Sequence, residues 1–212
     1  MRASLPAVRR ASCIAASALL LASACMPKVY GGHIRPSVRG QPVQYHGSEC
    51  GGWSGAGEVL EVHGPSGARL FTRLVPKDGR LLGRVGIHAP AGTTVTLGGD
   101  SLVITRREGR GVGVSERAMH VDSVHLVHYG STPVWGNGGI DGTWRQEAFT
   151  STITGRQQGT TMWIDFDAGP EVRDPRVTLR LPPMTVDGRP WSPSPITYRH
   201  RWGNFGWPPP EC

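Results

Sequence analysis

The chain has 212 residues, and its 23 lysines and arginines against 16 aspartates and glutamates give a formal net charge of +7. Its 30 glycines and 18 prolines are about twice the ordinary usage, but they stay below the content of disordered low-complexity chains. The composition therefore excludes a disordered chain and favours one folded domain that is rich in turns.

The first 24 residues predict a secretory signal peptide. Arg2, Arg9 and Arg10 form a basic segment without acidic residues, and an apolar stretch follows at residues 11–24. This apolar stretch is well short of the ~20 residues that a helix needs to span a bilayer. We therefore expect residues 1–24 to be removed as a signal peptide and not to remain as a transmembrane anchor.

A motif at the end of the signal predicts how the exported protein is attached. Leu21-Ala22-Ser23-Ala24-Cys25 resembles the lipobox of bacterial lipoproteins. The resemblance implies cleavage before Cys25, a diacylglycerol on its thiol and attachment to a membrane through this lipid. Ala22 stands where the family usually has Leu, and the same small residues also suit ordinary signal peptidase, which would leave Cys25 without lipid. Met26, which is not Asp, implies the outer membrane, facing the periplasm or the surface.

The number of cysteines favours the lipidated form. Once Cys13 leaves with the signal, the chain keeps Cys25, Cys50 and Cys212, an odd number for an oxidising compartment. A lipid on Cys25 leaves Cys50 and Cys212 to form a disulfide bond, which would stabilise the fold by about 5 kcal/mol in the chain-entropy model. The alternative is that these two cysteines are free thiols.

Removal of the signal also lowers the positive charge. Subtracting its three arginines from the 23 basic residues leaves 20 against 16 acidic residues, a net charge of +4. Export makes nucleic acid an unsuitable partner, so the natural counter-charges are anionic lipid headgroups or an envelope polysaccharide. The alternative is an arginine-rich surface that contacts only solvent.

After the signal, two regions are distinguished. Residues 25–48 contain few consecutive apolar positions and predict a flexible tether, whereas residues 49–212 predict a single domain. Pro42–Tyr45 alternates weakly between apolar and polar residues, so a first edge strand there is the alternative.

From Glu58 onward the sequence alternates with a period of two and is interrupted by turn residues. Two hairpins are predicted, Val59–His63 with Arg69–Val75 and Thr93–Leu97 with Ser101–Arg106. Further strands are predicted at Val121–Tyr129, Thr143–Thr154, Thr160–Phe166, Arg176–Leu181 and Ile196–Arg201. The pattern predicts an all-β fold: an antiparallel β-sandwich, immunoglobulin-like in the broad sense, or as the alternative a β-barrel.

One predicted strand carries potential metal ligands. In a continuous strand, His120, Asp122 and His128 share one face, while His125 points to the other. Imidazole and carboxylate groups on one face suit a transition-metal ion. The alternative is a strand whose interposed apolar residues pack and whose polar groups lie at its edges.

The seven tryptophans predict a second kind of site. An exposed indole face stacks on sugar rings, and nearby carboxylates accept hydrogen bonds from sugar hydroxyls. Trp163, Asp165 and Asp167 share a strand face, and Trp135 lies in a predicted loop, so these residues are candidates for binding a polysaccharide or peptidoglycan. Packing in the core is the alternative for most of the tryptophans.

Motifs of catalysis and cofactor binding are missing from the sequence. It contains no G-x-S-x-G, no H-E-x-x-H, no P-loop and no paired C-x-x-C. Asp165 and Asp167 have a spacing that a glycosidase pair can adopt, but nothing in the sequence gives them separate environments. We therefore expect a protein that is not an enzyme and needs no cofactor, with a structural or interaction role in the envelope.

Overall fold

The computed structural model describes residues 29–46, 59–107, 114–128, 146–156, 159–172 and 175–205. These residues form antiparallel strands and a single 3-10 turn, Pro65–Gly67, and they contain no α-helix. Among them, no helix has the length and apolar character that crossing a membrane requires.

A five-stranded sheet forms one layer. In spatial order its strands are β1 (Val29–Ser37), β16 (Ile196–Phe205), β13 (Arg176–Arg180), β7 (Ser101–Arg107) and β8 (Val114–His120). Residues alternate between its two faces, so that Leu102 and Ile104 of β7 are buried while Val103 and Thr105 point outward and are partly exposed.

A seven-stranded sheet forms the second layer. In spatial order its strands are β10 (Gln146–Ala148), β9 (Ser123–His128), β12 (Thr160–Pro170), β5 (Arg80–Ala89), β4 (Arg69–Lys77), β3 (Val59–His63) and β2 (Val43–His46). A smaller four-stranded sheet consists of β11 (Thr152–Thr154), β6 (Thr94–Leu97), β14 (Met184–Val186) and β15 (Arg189–Trp191).

The inner faces of the sheets enclose a common apolar core. Leu179 and Ile196 from the five-stranded sheet belong to the same buried cluster as Val85 and Ile164 from the seven-stranded sheet. The hydroxyl groups of Tyr198 and Thr72 are hydrogen-bonded across this core, and burial raises the pKa of the Tyr198 phenol. The predicted β-sandwich is thus confirmed, and the sheets are open, not closed into the alternative barrel.

Four predictions about individual segments need correction. The predicted strand Thr143–Thr154 is divided into β10 of the seven-stranded sheet and β11 of the four-stranded sheet. The first predicted hairpin is present as β3 and β4, but β6 and β7 of the second belong to different sheets. The predicted strand Val121–Tyr129 begins only at Ser123, because the chain passes at Val121 and Asp122 from β8 of one sheet to β9 of the other. The predicted tether 25–48 is wrong for residues 29–46, which form β1 and β2, so the alternative of an edge strand near Val43 is the one observed.

Candidate functional site

Trp163 does not present its indole ring to a ligand. Its side chain is 1% exposed, and it lies against the backbone of Gly86 on the neighbouring strand β5. A Cβ atom at Gly86 would collide with this ring, and Phe71 of β4 packs beside it with ring centroids 6.4 Å apart. The predicted role of Trp163 in stacking on sugar is therefore wrong, since the glycine makes room for the ring within the fold.

Asp165 and Asp167 are both engaged by arginines of β5. Arg84 donates two hydrogen bonds to the Asp165 carboxylate, at 2.5 and 2.8 Å, and Arg80 donates from Nε and Nη2 to Asp167. Arg84 is buried, whereas Arg80 is half exposed. The two carboxylates thus neutralise arginines of the same sheet, and their predicted role as acceptors for sugar hydroxyls has no support in this geometry.

The Asp167 segment also receives arginines from the opposite sheet. Arg106 donates to the carbonyl of Ala168 at 3.2 Å, and Arg117 donates to the carbonyl of Asp167 at 2.6 Å. Burial raises the pKa of the Asp167 carboxyl, but the hydrogen bonds from Arg80 and the Gly169 amide, with the nearby positive charges, outweigh it and lower the pKa. This end of β12 therefore joins the two layers.

A charged cluster that the sequence analysis missed surrounds Glu61. The Glu61 side chain is 4% exposed and lies 2.6 Å from His46 Nε2, 3.6 Å from His63 Nε2 and 3.6 Å from Arg69 Nη1. Its carboxylate is thus surrounded by donors from the fold itself. The sequence signal was Glu61 at an outward position of an otherwise apolar strand, but its partners are known only from the pairing of β2, β3 and β4.

His88 lies near this cluster on the same face. Its Nδ1 lies 2.9 Å from the Thr161 hydroxyl oxygen. Burial lowers the pKa of His88 to about 4, the positive charge of Arg69 acts in the same direction, and Glu61 opposes both. His88 is therefore neutral at pH 7.

The three predicted metal ligands do not share a strand. His120 ends β8, Asp122 follows it between the sheets, and His128 ends β9, with its side chain outside the described residues. His120 Nδ1 lies 3.2 Å from Asp100, and its Nε2 lies 3.6 Å from Asp122. Across the described ranges, no three histidine, cysteine, aspartate or glutamate side chains are grouped to hold a metal ion.

Four other predicted residues cannot be placed. Cys25, with its predicted lipid, the pair Cys50 and Cys212, and Trp135 all lie outside the described residues.

The outward face of the five-stranded sheet carries a row of arginines. In the strand register, Arg35 of β1 is opposite Arg199 of β16, Arg199 is opposite Arg176 of β13, and Arg176 is opposite Arg107 of β7. All four side chains are exposed. We call Arg35, Arg199, Arg176 and Arg107 the arginine row; adjacent strands are ~4.8 Å apart, so its four positions span roughly 14 Å.

The surroundings of the arginine row do not balance its charge. Arg180 and Arg201 are exposed on the same face, and Glu116 is the only acidic residue among the described outward side chains of the five strands. Asp100 and Asp122 lie beside His120, at the other end of β7 and β8 from Arg107. A parallel row of hydroxyl groups lies two positions away along the strands. It consists of Ser37, Thr197, Thr178 and Thr105.

This face can bind anions. Guanidinium groups donate paired, charge-assisted hydrogen bonds to phosphate and carboxylate oxygens. In the hydroxyl row, Ser37 already donates to the carbonyl of Thr197 and Thr105 to Glu116, so the hydroxyls of Thr197 and Thr178 are the further donors. The alternating arginines of β13 and β16 were visible in the sequence, but only the register aligns them with Arg35 and Arg107.

Comparisons with known proteins identify no relative of this chain. No protein-family model matches the chain, and no curated protein or solved structure is significantly similar to it.

Proposed function

We propose that this protein is a lipid-anchored component of the bacterial envelope, most consistent with the outer membrane, whose β-sandwich has a non-catalytic interaction role. The observation that carries the proposal is the arginine row. It is an exposed, same-sign surface on a rigid sheet, and the described side chains around it supply one carboxylate, that of Glu116. Such a surface attracts an anionic component of the envelope.

The N-terminal sequence supports the location. The short apolar segment, the cleavage motif and the lipobox-like Cys25 all fit export followed by lipid attachment. In this proposal the lipid on Cys25 holds the protein at a membrane, and the folded sheet supplies the contact with a second component.

The carbohydrate-binding alternative has weaker support. It depended on Trp163, Asp165 and Asp167, of which the first is buried and the other two are paired with arginines. Trp135 is its remaining residue and lies outside the described residues.

Mass spectrometry of the N-terminus, together with cell fractionation, tests the anchor. We expect a mature chain that begins at Cys25 and carries a diacylglycerol and an amide-linked acyl chain. Cys25→Ser should move the protein from the membrane fraction to the soluble periplasmic fraction. The matched control is Cys13→Ser, within the signal, which should leave the distribution unchanged. An unmodified Cys25 in the wild-type protein would overturn the proposal.

A further inference from the structure

The arginine row opposes the folding of its own sheet. Like charges at directly opposed cross-strand positions repel each other and destabilise a sheet. Arg199 and Arg176 each have an arginine on both sides, so the row contains three such contacts. Arg84 and Arg80 of the seven-stranded sheet also lie opposite basic residues of β4, but each of them donates hydrogen bonds to an aspartate of β12. A bound anion would relieve this repulsion, and among the described outward side chains only the carboxylate of Glu116, opposite Thr105, lies near the row.

The position of Cys25 indicates which anions are within reach. Only Met26–Lys28 separate Cys25 from β1, and β1 is both the edge strand of the five-stranded sheet and the strand that carries Arg35. Four residues span at most ~14 Å when fully extended. A lipid on Cys25 would therefore hold this sheet edge at the level of the headgroups, whereas a tether of the predicted 24 residues, 25–48, would have allowed the domain to move away.

We propose that the outward face of the five-stranded sheet docks onto the membrane that holds the anchor, with the arginine row on the phosphate groups of anionic phospholipids. This inference rests on the proposed lipid anchor and names the partner of the same site. A row of exposed arginines on strands ~4.8 Å apart matches a surface of many phosphates better than one small ligand. The guanidinium group of Arg35, at the end of the row, also lies over the ring of Tyr45, 4.4 Å from its centroid. Arginines near an anionic membrane surface each strengthen binding by about fivefold.

The test measures vesicle binding without the lipid. The exported Cys25→Ser protein is mixed with vesicles of phosphatidylglycerol and phosphatidylcholine, or of phosphatidylcholine alone, and binding is measured by co-sedimentation. We expect binding to the anionic vesicles only, and its loss when sodium chloride is raised from about 0.1 to about 0.5 M, because salt screens exposed charges.

A matched pair of double variants locates the contact. Arg176→Gln with Arg199→Gln removes two charges from the arginine row and should weaken binding to anionic vesicles by about 25-fold. Arg156→Gln with Arg189→Gln removes two exposed charges elsewhere and should change binding by less than about twofold. Thermal unfolding of both variants checks that the fold is retained; where either one unfolds early, the single variants Arg176→Gln and Arg189→Gln replace the pair.

Three results would overturn the docking proposal. These are equal binding to neutral and anionic vesicles, an equal loss in both double variants, or binding to a soluble anionic polysaccharide such as dextran sulfate with none to anionic vesicles. The last result would assign the face to a polysaccharide. None of these results bears on the anchor, which the mass of the N-terminus tests separately, so the two proposals can fail independently.

Discussion

The outward faces of the two large sheets use charge in opposite ways. On the seven-stranded sheet, Arg84 pairs with Asp165, Arg80 pairs with Asp167, and Glu61 lies among donors of neighbouring strands. On the five-stranded sheet, the arginine row has arginines as its cross-strand neighbours and is exposed.

The difference separates structural charges from charges available to a partner. Buried charges must be paired, because burial removes their hydration, so the buried Arg84 and Glu61 are matched inside the molecule. Exposed charges keep their hydration and can remain unmatched at a modest cost. An unmatched row is therefore the surface at which to look for an external anion.

The largest expected effect is a loss of stability, and it tests whether Trp163, on the outward face of the seven-stranded sheet, packs within the fold. Trp163→Ala removes a buried ring that packs on Gly86 and Phe71, and it should lower the free energy of unfolding by about 3–5 kcal/mol. Urea unfolding followed by circular dichroism measures the change. Val114→Ala, at a residue that is 61% exposed, is the control and should have an effect within about 0.5 kcal/mol. Similar stabilities for the two variants would contradict the packing role of Trp163.

The second prediction concerns the pH dependence of stability that the neutral His88 causes on the outward face of the seven-stranded sheet. Its pKa falls from 6.5 to about 4 on folding, so the unfolded chain takes up a proton in this pH range before the folded chain does. Stability is thus complete above pH 6.5, and about 2–3 kcal/mol should be lost as the pH falls to about 4.

Replacement of the histidine checks this pH dependence. His88→Gln should remove this part of the pH dependence in chemical unfolding measured at a series of pH values, whereas His120→Gln, at an exposed histidine, should retain it. If the free energy of unfolding of His88→Gln still fell between pH 6.5 and 4 as it does in the wild-type protein, groups other than His88 would cause the loss of stability.

The third effect compares the two aspartates of β12. Their side chains are equally accessible, at 35% for Asp165 and 34% for Asp167, but Arg84 is 3% exposed while Arg80 is 52% exposed. Asp165→Asn should therefore destabilise the fold by about 2 kcal/mol, because it weakens the neutralisation of a buried cation. Asp167→Asn should cost less than about 1 kcal/mol. If thermal unfolding showed the same loss of stability in both variants, burial of the arginine would not determine the cost of replacing its aspartate.

The smallest expected effect is a gain of stability, and it concerns a residue of the five-stranded sheet. Arg176→Gln relieves repulsion from Arg199 and Arg107 and should raise the free energy of unfolding by about 0.2–1 kcal/mol, more at low salt than at high salt. Arg180→Gln is the matched control, since Arg180 lies on the same strand and face but is opposite Val103. A destabilised Arg176→Gln variant would contradict the repulsion on which the docking proposal is built.

Several strands were predictable because half-buried strands alternate with a period of two. Residues 176–180 and 196–201 show this alternation, and both segments are strands in which Val177, Leu179, Ile196 and Tyr198 are buried. The alternation also placed Asp165 and Asp167 on the same face as Trp163, which the pairing with β5 confirms. The alternation did not show that the outward face of β12 is also buried, at Trp163.

The errors lie where contacts between distant residues decide the structure. The corner at Val121 and Asp122 separates His120 from His128, although the segment alternates like a strand on both sides. Pairing of β1 with β16 takes residues 29–37 out of the predicted tether, because a strand edge needs partners for its amide and carbonyl groups.

The sequence by itself determined that the chain folds into antiparallel strands, and it contains the predicted signal and the lipobox-like motif on which the proposed location depends. These properties depend on neighbouring residues, which local patterns record. Only the tertiary structure decided that the carboxylates of β12 belong to arginines of β5 and that Arg35, Arg199, Arg176 and Arg107 form one row. Cross-strand neighbours are set by register between segments far apart in the chain. A period of two fixes the face on which a residue lies, but it does not choose the partner strand or distinguish registers that differ by two residues.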